Sequence, residues 1–268
     1  MAITSRDQII AGMQPPLRIL KVGATMEAAG MMNSFFYTAG QPAAAAVPSP
    51  GINGASLTSY NGQIPFTNPA SGNTNLVRFT GNAGVAGTAL LHDRLWHNSG
   101  ISVTTTTAQN ITQPTLPPRD NKGTTDGVGV MAAIEVSTAT TNAGAITNTT
   151  ISYTNSSGVS GRTGTIASFP VTAVAGTFVE FRLNQGDVGI RSIQSITLGT
   201  SYGGGAIHLV LFRYLTSGHT VSPYVGFDLG PAQCGFTQLY DNSVPFVVWL
   251  PSATTAITFS GAVVLSQG

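Results

Sequence analysis

The sequence predicts an all-β chain: an antiparallel β-sandwich or jelly-roll-like domain over residues 76–268, preceded by an extended, mostly irregular N-terminal arm over residues 1–75 with at most one short helix. Three observations predict it. From residue 76 onward, apolar and β-branched stretches recur about every 10–15 residues with Gly, Asn, Ser and Pro between them, which is the spacing of antiparallel strands and not of βαβ units. No stretch there carries the 3.6-residue apolar period of an amphipathic helix. Residues 26–75 lose periodicity altogether and are punctuated by Pro42, Pro48, Pro50, Pro65 and Pro69.

Taken in order, the first element is a short helix. Thr4 or Ser5 can cap a turn that runs through Ile9 and Ile10, and the Pro15-Pro16 pair must end it. Leu17, Ile19 and Val22 suggest a short strand over 17–22. The arm then becomes irregular, yet it keeps Met31, Met32, Phe35, Phe36, Tyr37, Tyr60 and Phe66, side chains that a solvated linker would lack. It is therefore expected to lie ordered on its own domain or on a neighbour, and these seven residues, with Trp96 and His97, are the candidate assembly contacts.

Twelve strands are expected in the domain: 76–80, 88–96, 102–107, 129–137, 149–155, 162–168, 177–183, 190–198, 206–214, 235–240, 245–250 and 256–265. In 177–183 the two-residue period puts Thr177, Val179, Phe181 and Leu183 on the core face and Phe178, Glu180 and Arg182 on the other. The small residues of Ser156-Ser157-Gly158 predict a hairpin between 149–155 and 162–168. Gly203-Gly204-Gly205 predicts a second such reversal between 190–198 and 206–214. No repeat of 20–50 residues recurs, so a solenoid or propeller is not expected.

Composition bears on function. Of 268 residues only 8% are charged, against roughly 25% in an ordinary domain, while 42% are hydrophobic. Lysine occurs only at Lys21 and Lys122, and Thr, Ser, Asn and Gln supply the polarity. Neutral hydroxyls and amides cost less to desolvate than charges, so this surface suits burial against partners. A net charge of +1 offers no electrostatic footprint for nucleic acid or an anionic membrane. Cys234 stands alone and is expected as a buried thiol. Residues 1–30 lack a basic start followed by an apolar run, so folding in the cytoplasm is expected.

The chemistry-bearing residues form no catalytic motif. His92 and His97 are five apart, which on a strand means opposite faces, so one metal ion would not take both. His208 shares a face with Val210 and Phe212 and is expected to be buried or at a subunit contact. No G-x-S-x-G elbow occurs, and the ten acids are scattered, several beside a natural Arg partner, with Asp93-Arg94 and Arg119-Asp120 expected as loop or interface ion pairs. No cofactor, no metal and no enzymatic activity are expected.

Low charge, Thr/Gly/Ala-rich strands and a Pro-rich arm accompany three distinctive stretches: 90–100 (LLHDRLWHNSG), 151–158 (ISYTNSSG) with 161–163 (GRT), and 187–196 (DVGIRSIQSI). Together they resemble head-associated structural proteins of tailed bacteriophages. The resemblance implies a capsid decoration or cement protein in the virion, a homo-oligomer that bridges copies of a different major capsid protein. The shell protein itself is disfavoured, since its fold resembles a mixed α/β architecture with a long spine helix. A tail or head-to-tail connector component is the alternative, although a tube would need a charged lumen and a fibre would need repeats. A surface adhesin-like module is the second alternative, and it would need an export signal.

Overall fold

In the computed structural model, which describes residues 3–268, the chain is all-β in jelly-roll-like antiparallel layers, with one α-helix (Arg6–Ala11) and one 3-10 turn (Phe35–Tyr37). It divides into two compact units drawn from discontinuous segments. The first comprises Met1–Ala46, Thr58–Asp93 and Tyr214–Gly268, and the second Val47–Leu57 and Arg94–Arg213. The strands Gly87–His97 and Ala206–Thr220 each contribute one part to each unit.

In the first unit, one sheet runs Phe227–Leu229, Thr74–Ala83, Ile257–Gln267, Leu17–Ala24, Gly40–Gln41, with Gln238–Leu239 also paired to Thr74–Ala83. Its second layer pairs residues 87–93 with Pro245–Pro251, which in turn pairs with Asn33–Ser34. Phe79, Phe259 and Val263 face Leu91, Val247 and Trp249 across the core, and Phe35 lies between Trp249 and Phe259 at ring distances of 6.4 and 5.6 Å. Phe36 stacks on Tyr60 at 5.7 Å and meets Phe246 edge-on at 5.7 Å. Fully burying side chains of this size contributes about 1.5–3 kcal/mol each, so these two arm phenylalanines belong to the stability of their own unit.

The position expected to end the arm falls inside the strand Thr74–Ala83. Leu17–Ala24 is an interior strand, held on one side by Ile257–Gln267 and on the other by Gly40–Gln41. The expected strand is thus present, but its inward residues are Ile19 and Lys21, whereas Val22 is exposed beside the register shift between Lys21 and Ala24. The helix is capped by Ser5 in a reciprocal capping box with Gln8. It stops at Gly12, three residues before Pro15, where a Cβ would lie 2.3 Å from the Gln267 carbonyl oxygen.

In the second unit, one sheet runs Arg162–Phe169, Ile146–Asn155, Ile190–Thr197, Gln109–Asn110. The facing layer holds Phe178–Glu180, Val130–Thr138 and residues 206–213. Ile151, Tyr153, Ile193 and Ile196 pack against Ile134, Val136, Leu209 and Leu211. The hairpin forms as expected, with Arg162 opposite Tyr153 and Thr163 opposite Ser152.

Three expectations are corrected. Residues 102–107 form no strand, because the Gln109 side chain takes up the backbone of Ser102 and Thr105 through Oε1 and Nε2. The triple glycine makes no hairpin: Ile190–Thr197 pairs with Ile146–Asn155, while Ala206–Thr220 pairs with Val130–Thr138. Gly203 and Gly205, at φ +76° and +90°, turn the chain from one sheet to the other, a conformation glycine adopts without a Cβ penalty. In Phe178–Glu180, Phe178 is buried against Phe212 at 5.2 Å, so both faces of that strand are covered.

Candidate functional site

The nine candidate contacts divide by burial. Phe35, Phe36, Trp96 and His97 are at most 1% exposed within the chain itself, so none of these four presents a surface to a partner. The reason lies in contacts between distant segments. Phe35 and Phe36 follow Asn33–Ser34, which is hydrogen-bonded to Pro245–Pro251, and the Trp96 indole donates to the Asn53 carbonyl at 3.2 Å. Met31, Met32, Tyr37, Tyr60 and Phe66 are half-buried.

Other apolar side chains face solvent. In the first unit Ile10 and Met13, on and just after the helix, are 62% and 48% exposed and line a groove of about 650 Å³ with Val77 and Pro231. The helix buries no residue of its own. Leu20 borders a second groove, of about 770 Å³, over the outer face of the Leu17–Ala24, Ile257–Gln267 and Thr74–Ala83 strands. The segment after Thr220 projects Val221 and Tyr224 at 70% and 78% exposure. In the second unit Val188 is 63% exposed. None of these exposed residues is an aromatic of the arm, and the apolar Ile9, Ile10 and Met13 beside the N-terminal cap are the one sequence signal that marks Ile10 and Met13.

Two of the three stretches that carry the phage resemblance meet in the second unit. Asp187 accepts hydrogen bonds from the Tyr153 hydroxyl (2.5 Å), Asn155 Nδ2 (2.7 Å) and Arg162 Nε (3.0 Å), and the Tyr153 hydroxyl accepts from the Asn184 amide at 3.0 Å. Burial pushes the Asp187 carboxyl upward, but the hydrogen bonds from Arg162, Tyr153 and Asn155 prevail and hold it at about 2. This hub fastens the loop before Ile190–Thr197 to the hairpin.

The remaining stretch contributes to a buried polar centre in the same unit. Arg94 and Glu135 form an ion pair at 2.6 Å with both side chains fully buried. Arg94 Nε donates to His97 Nδ1 at 3.2 Å, and Arg119 donates to the Arg94 carbonyl at 3.0 Å. His208, opposite Glu135 in the register, contacts the Asn98 carbonyl through Nδ1 (2.8 Å) and Ser137 Oγ through Nε2 (2.7 Å). Burial, then the charge of Arg94 and then His208, lower His97 to about 2; burial chiefly lowers His208 as well. The expected local pairs are replaced. Asp93 accepts from Ser243 and the Val244 amide, Arg94 reaches Glu135, and Asp120 organises its own loop by accepting from the amides of Lys122, Thr124 and Val128. Asp93 and Arg94 are neighbours in the strand Gly87–His97 and point to opposite faces, so their adjacency in sequence does not make a pair.

Ser137 and His208 have the contact of a nucleophile and its base, with the Asn98 carbonyl orienting the ring. Ser137, however, lies in a regular strand, Val130–Thr138, and not on the strained turn that presents a serine nucleophile. Among the described residues no group of three or more His, Cys, Asp or Glu could hold a metal ion.

No protein-family model matches the chain, and no curated protein matches it. A solved structure of infectious bursal disease virus, Gt strain, is similar at 11% identity over 95% of this chain and 42% of that one, with a TM-score of 0.16. A structure of infectious bursal virus-derived T=1 particles gives 11% identity over 96% and 79%, with a TM-score of 0.17. The chain spans less than half the length of the first. At such TM-scores the likeness carries no argument.

Proposed function

We propose that this chain is a non-enzymatic structural subunit of a phage particle, a decoration or cement protein that, as a homo-oligomer, bridges copies of the major capsid protein. The observation that carries this reading is where the charges go. Seven of the 21 charged side chains, among 11 basic and 10 acidic, are buried: Lys21, Asp93, Arg94, Arg119, Asp120, Glu135 and Arg213. Of those outside, six are engaged in the pairs Arg78–Asp228, Arg162–Asp187 and Arg191–Asp126. What faces solvent is mostly hydroxyl, amide and apolar, a surface that loses little when a neighbour covers it.

The test is a wash of purified particles. The chain should stay bound as sodium chloride rises to about 1 M, where the Debye length falls to about 3 Å, and should leave in urea, which solvates apolar and peptide groups. Particles stripped of it should lose heat resistance. Release by salt alone rejects this interface chemistry. Heat resistance unchanged after complete stripping rejects the cement role in favour of a tail, connector or host-contact component.

A further inference from the structure

We infer that the Arg94–His97 contact is a proton-sensitive latch, which on acidification releases residues 98–129 from the second unit before the unit's sheets come apart. The argument begins with a donor count. An arginine guanidinium can only donate, so His97 Nδ1, 3.2 Å from Arg94 Nε, must present its lone pair and carry no proton. A proton arriving there turns the acceptor into a donor aimed at another donor, and sets an imidazolium beside a guanidinium where neither has water to screen it, since both residues are at most 1% exposed.

The groups around the latch come from each element packed on it. Arg94 lies on the same strand, Arg119 in the irregular segment after that strand, Glu135 on Val130–Thr138 and His208 on Ala206–Thr220. The paired segment at Ala55–Ser56 adds no titratable group. Glu135 is the one acid among these groups, and it is already engaged by Arg94 at 2.6 Å. His208 differs from His97 in kind. Its two nitrogens face the Asn98 carbonyl and the Ser137 hydroxyl, and both of those can accept, so a protonated His208 keeps both contacts. Protonation therefore breaks geometry at His97 and not at His208.

What moves is set by what Arg94 holds. Its carbonyl anchors the Arg119 guanidinium, and residues 98–129 contain only the two-residue strand Gln109–Asn110. Elsewhere the segment is tied by scattered bonds and not by a ladder: Asn98 to Leu209 and Ile52, Ile111 N to the Gln194 carbonyl, Thr112 N to Asn53 Oδ1 and Ser56 Oγ to the Thr115 carbonyl, with Ile101, Ile111 and Leu116 buried beneath it. A segment with so little ladder opens at lower free energy than the sheets it covers. In the open state His97 returns to the ordinary histidine range near pH ~6.5, so each pH unit below that favours opening about tenfold.

The experiment is amide hydrogen exchange on the full chain between pH 7.5 and 4.5, corrected for intrinsic exchange rates. Residues 98–129 should open about tenfold more per pH unit below roughly 6.5 and exchange ahead of the strand Ile146–Asn155 at every pH. His97→Asn, which places an oxygen near the Nδ1 position and takes up no proton, should flatten that dependence. His208→Asn should leave it. An unchanged dependence in His97→Asn overturns the latch, and so does a dependence abolished by His208→Asn alone. Should His97→Asn fail to fold, the ring nitrogen resonances of the native chain decide. Nδ1 bare at pH 7.5 and protonated over the interval in which the segment opens supports the latch; opening while the ring stays neutral overturns it.

Discussion

At the scale of single residues, the unusual feature is charge placed where apolar side chains would be ordinary. Lys21 points inward from Leu17–Ala24, 3% exposed, and its ammonium donates to the carbonyls of Thr38 (3.1 Å) and Pro42 (2.7 Å). Burial lowers it to about 8 from an ordinary 10.5. Between those values the unfolded chain binds a proton that the folded chain does not, so this residue's contribution to stability improves as pH rises through the window, by about 1.4 kcal/mol per unit. Urea midpoints of the parent and Lys21→Met at pH 7.5, 8.5 and 9.5 should show that slope in the parent and not in the variant. The Arg94–Glu135 pair gives a second expectation. Glu135→Gln strands a fully buried guanidinium and should cost about 3–5 kcal/mol, read as a lower urea midpoint. The joint change Arg94→Met with Glu135→Leu should recover most of that loss, because it removes both desolvation costs together.

At the scale of elements, the N-terminal region separates into a helix that buries nothing and a strand that its sheet needs. Removing residues 1–13 takes away Arg6–Ala11 and leaves the pairing of Leu17–Ala24 with Ile257–Gln267 in place. That truncation should melt close to the parent temperature and, if the exposed Ile10 and Met13 serve assembly, join particles poorly. Removing residues 1–24 also takes away the strand between Ile257–Gln267 and Gly40–Gln41 and exposes the inner face that Ile19 covers. It should abolish cooperative melting of the first unit, followed by circular dichroism and limited proteolysis. A long truncation therefore cannot report on assembly alone. The element boundaries were well marked in the sequence wherever strands alternate between turn residues, as at Pro245–Pro251 and Ile257–Gln267. They were obscure at 102–107, where one glutamine side chain replaces a partner strand.

At the scale of the whole molecule, three histidines buried in the neutral form make the fold acid-sensitive. Burial lowers His92 to about 3, and lowers His97, beside Arg94 and His208, to about 2; His208 is lowered too, mainly by burial. All three bind protons more readily unfolded than folded, so the stability they confer is full above pH ~6.5 and declines as pH falls toward their folded values. With His92 and His97 contributing, the slope reaches about 2.7 kcal/mol per pH unit. The urea midpoint should therefore drop steeply between pH 6.5 and 5, ahead of carboxylate protonation. Removing His92, ringed by Tyr214 and Phe246, as His92→Phe should reduce that slope by about half.

The sequence by itself determined the fold class, most strand positions and the low charge, because these depend on local properties: side-chain alternation, turn residues and composition are readable one segment at a time. It did not determine which strands share a sheet or where the charges lie. The triple glycine marks a turn, but only pairing shows that the turn changes sheets. Phe35 and Phe36 read as surface aromatics of an arm until Pro245–Pro251, more than 200 residues later, closes over them. Arg94 stands next to Asp93 in the chain, yet a strand turns neighbours to opposite faces, and its carboxylate partner is Glu135. Only tertiary structure decided these things, since burial and ion pairing are set by residues far apart in sequence.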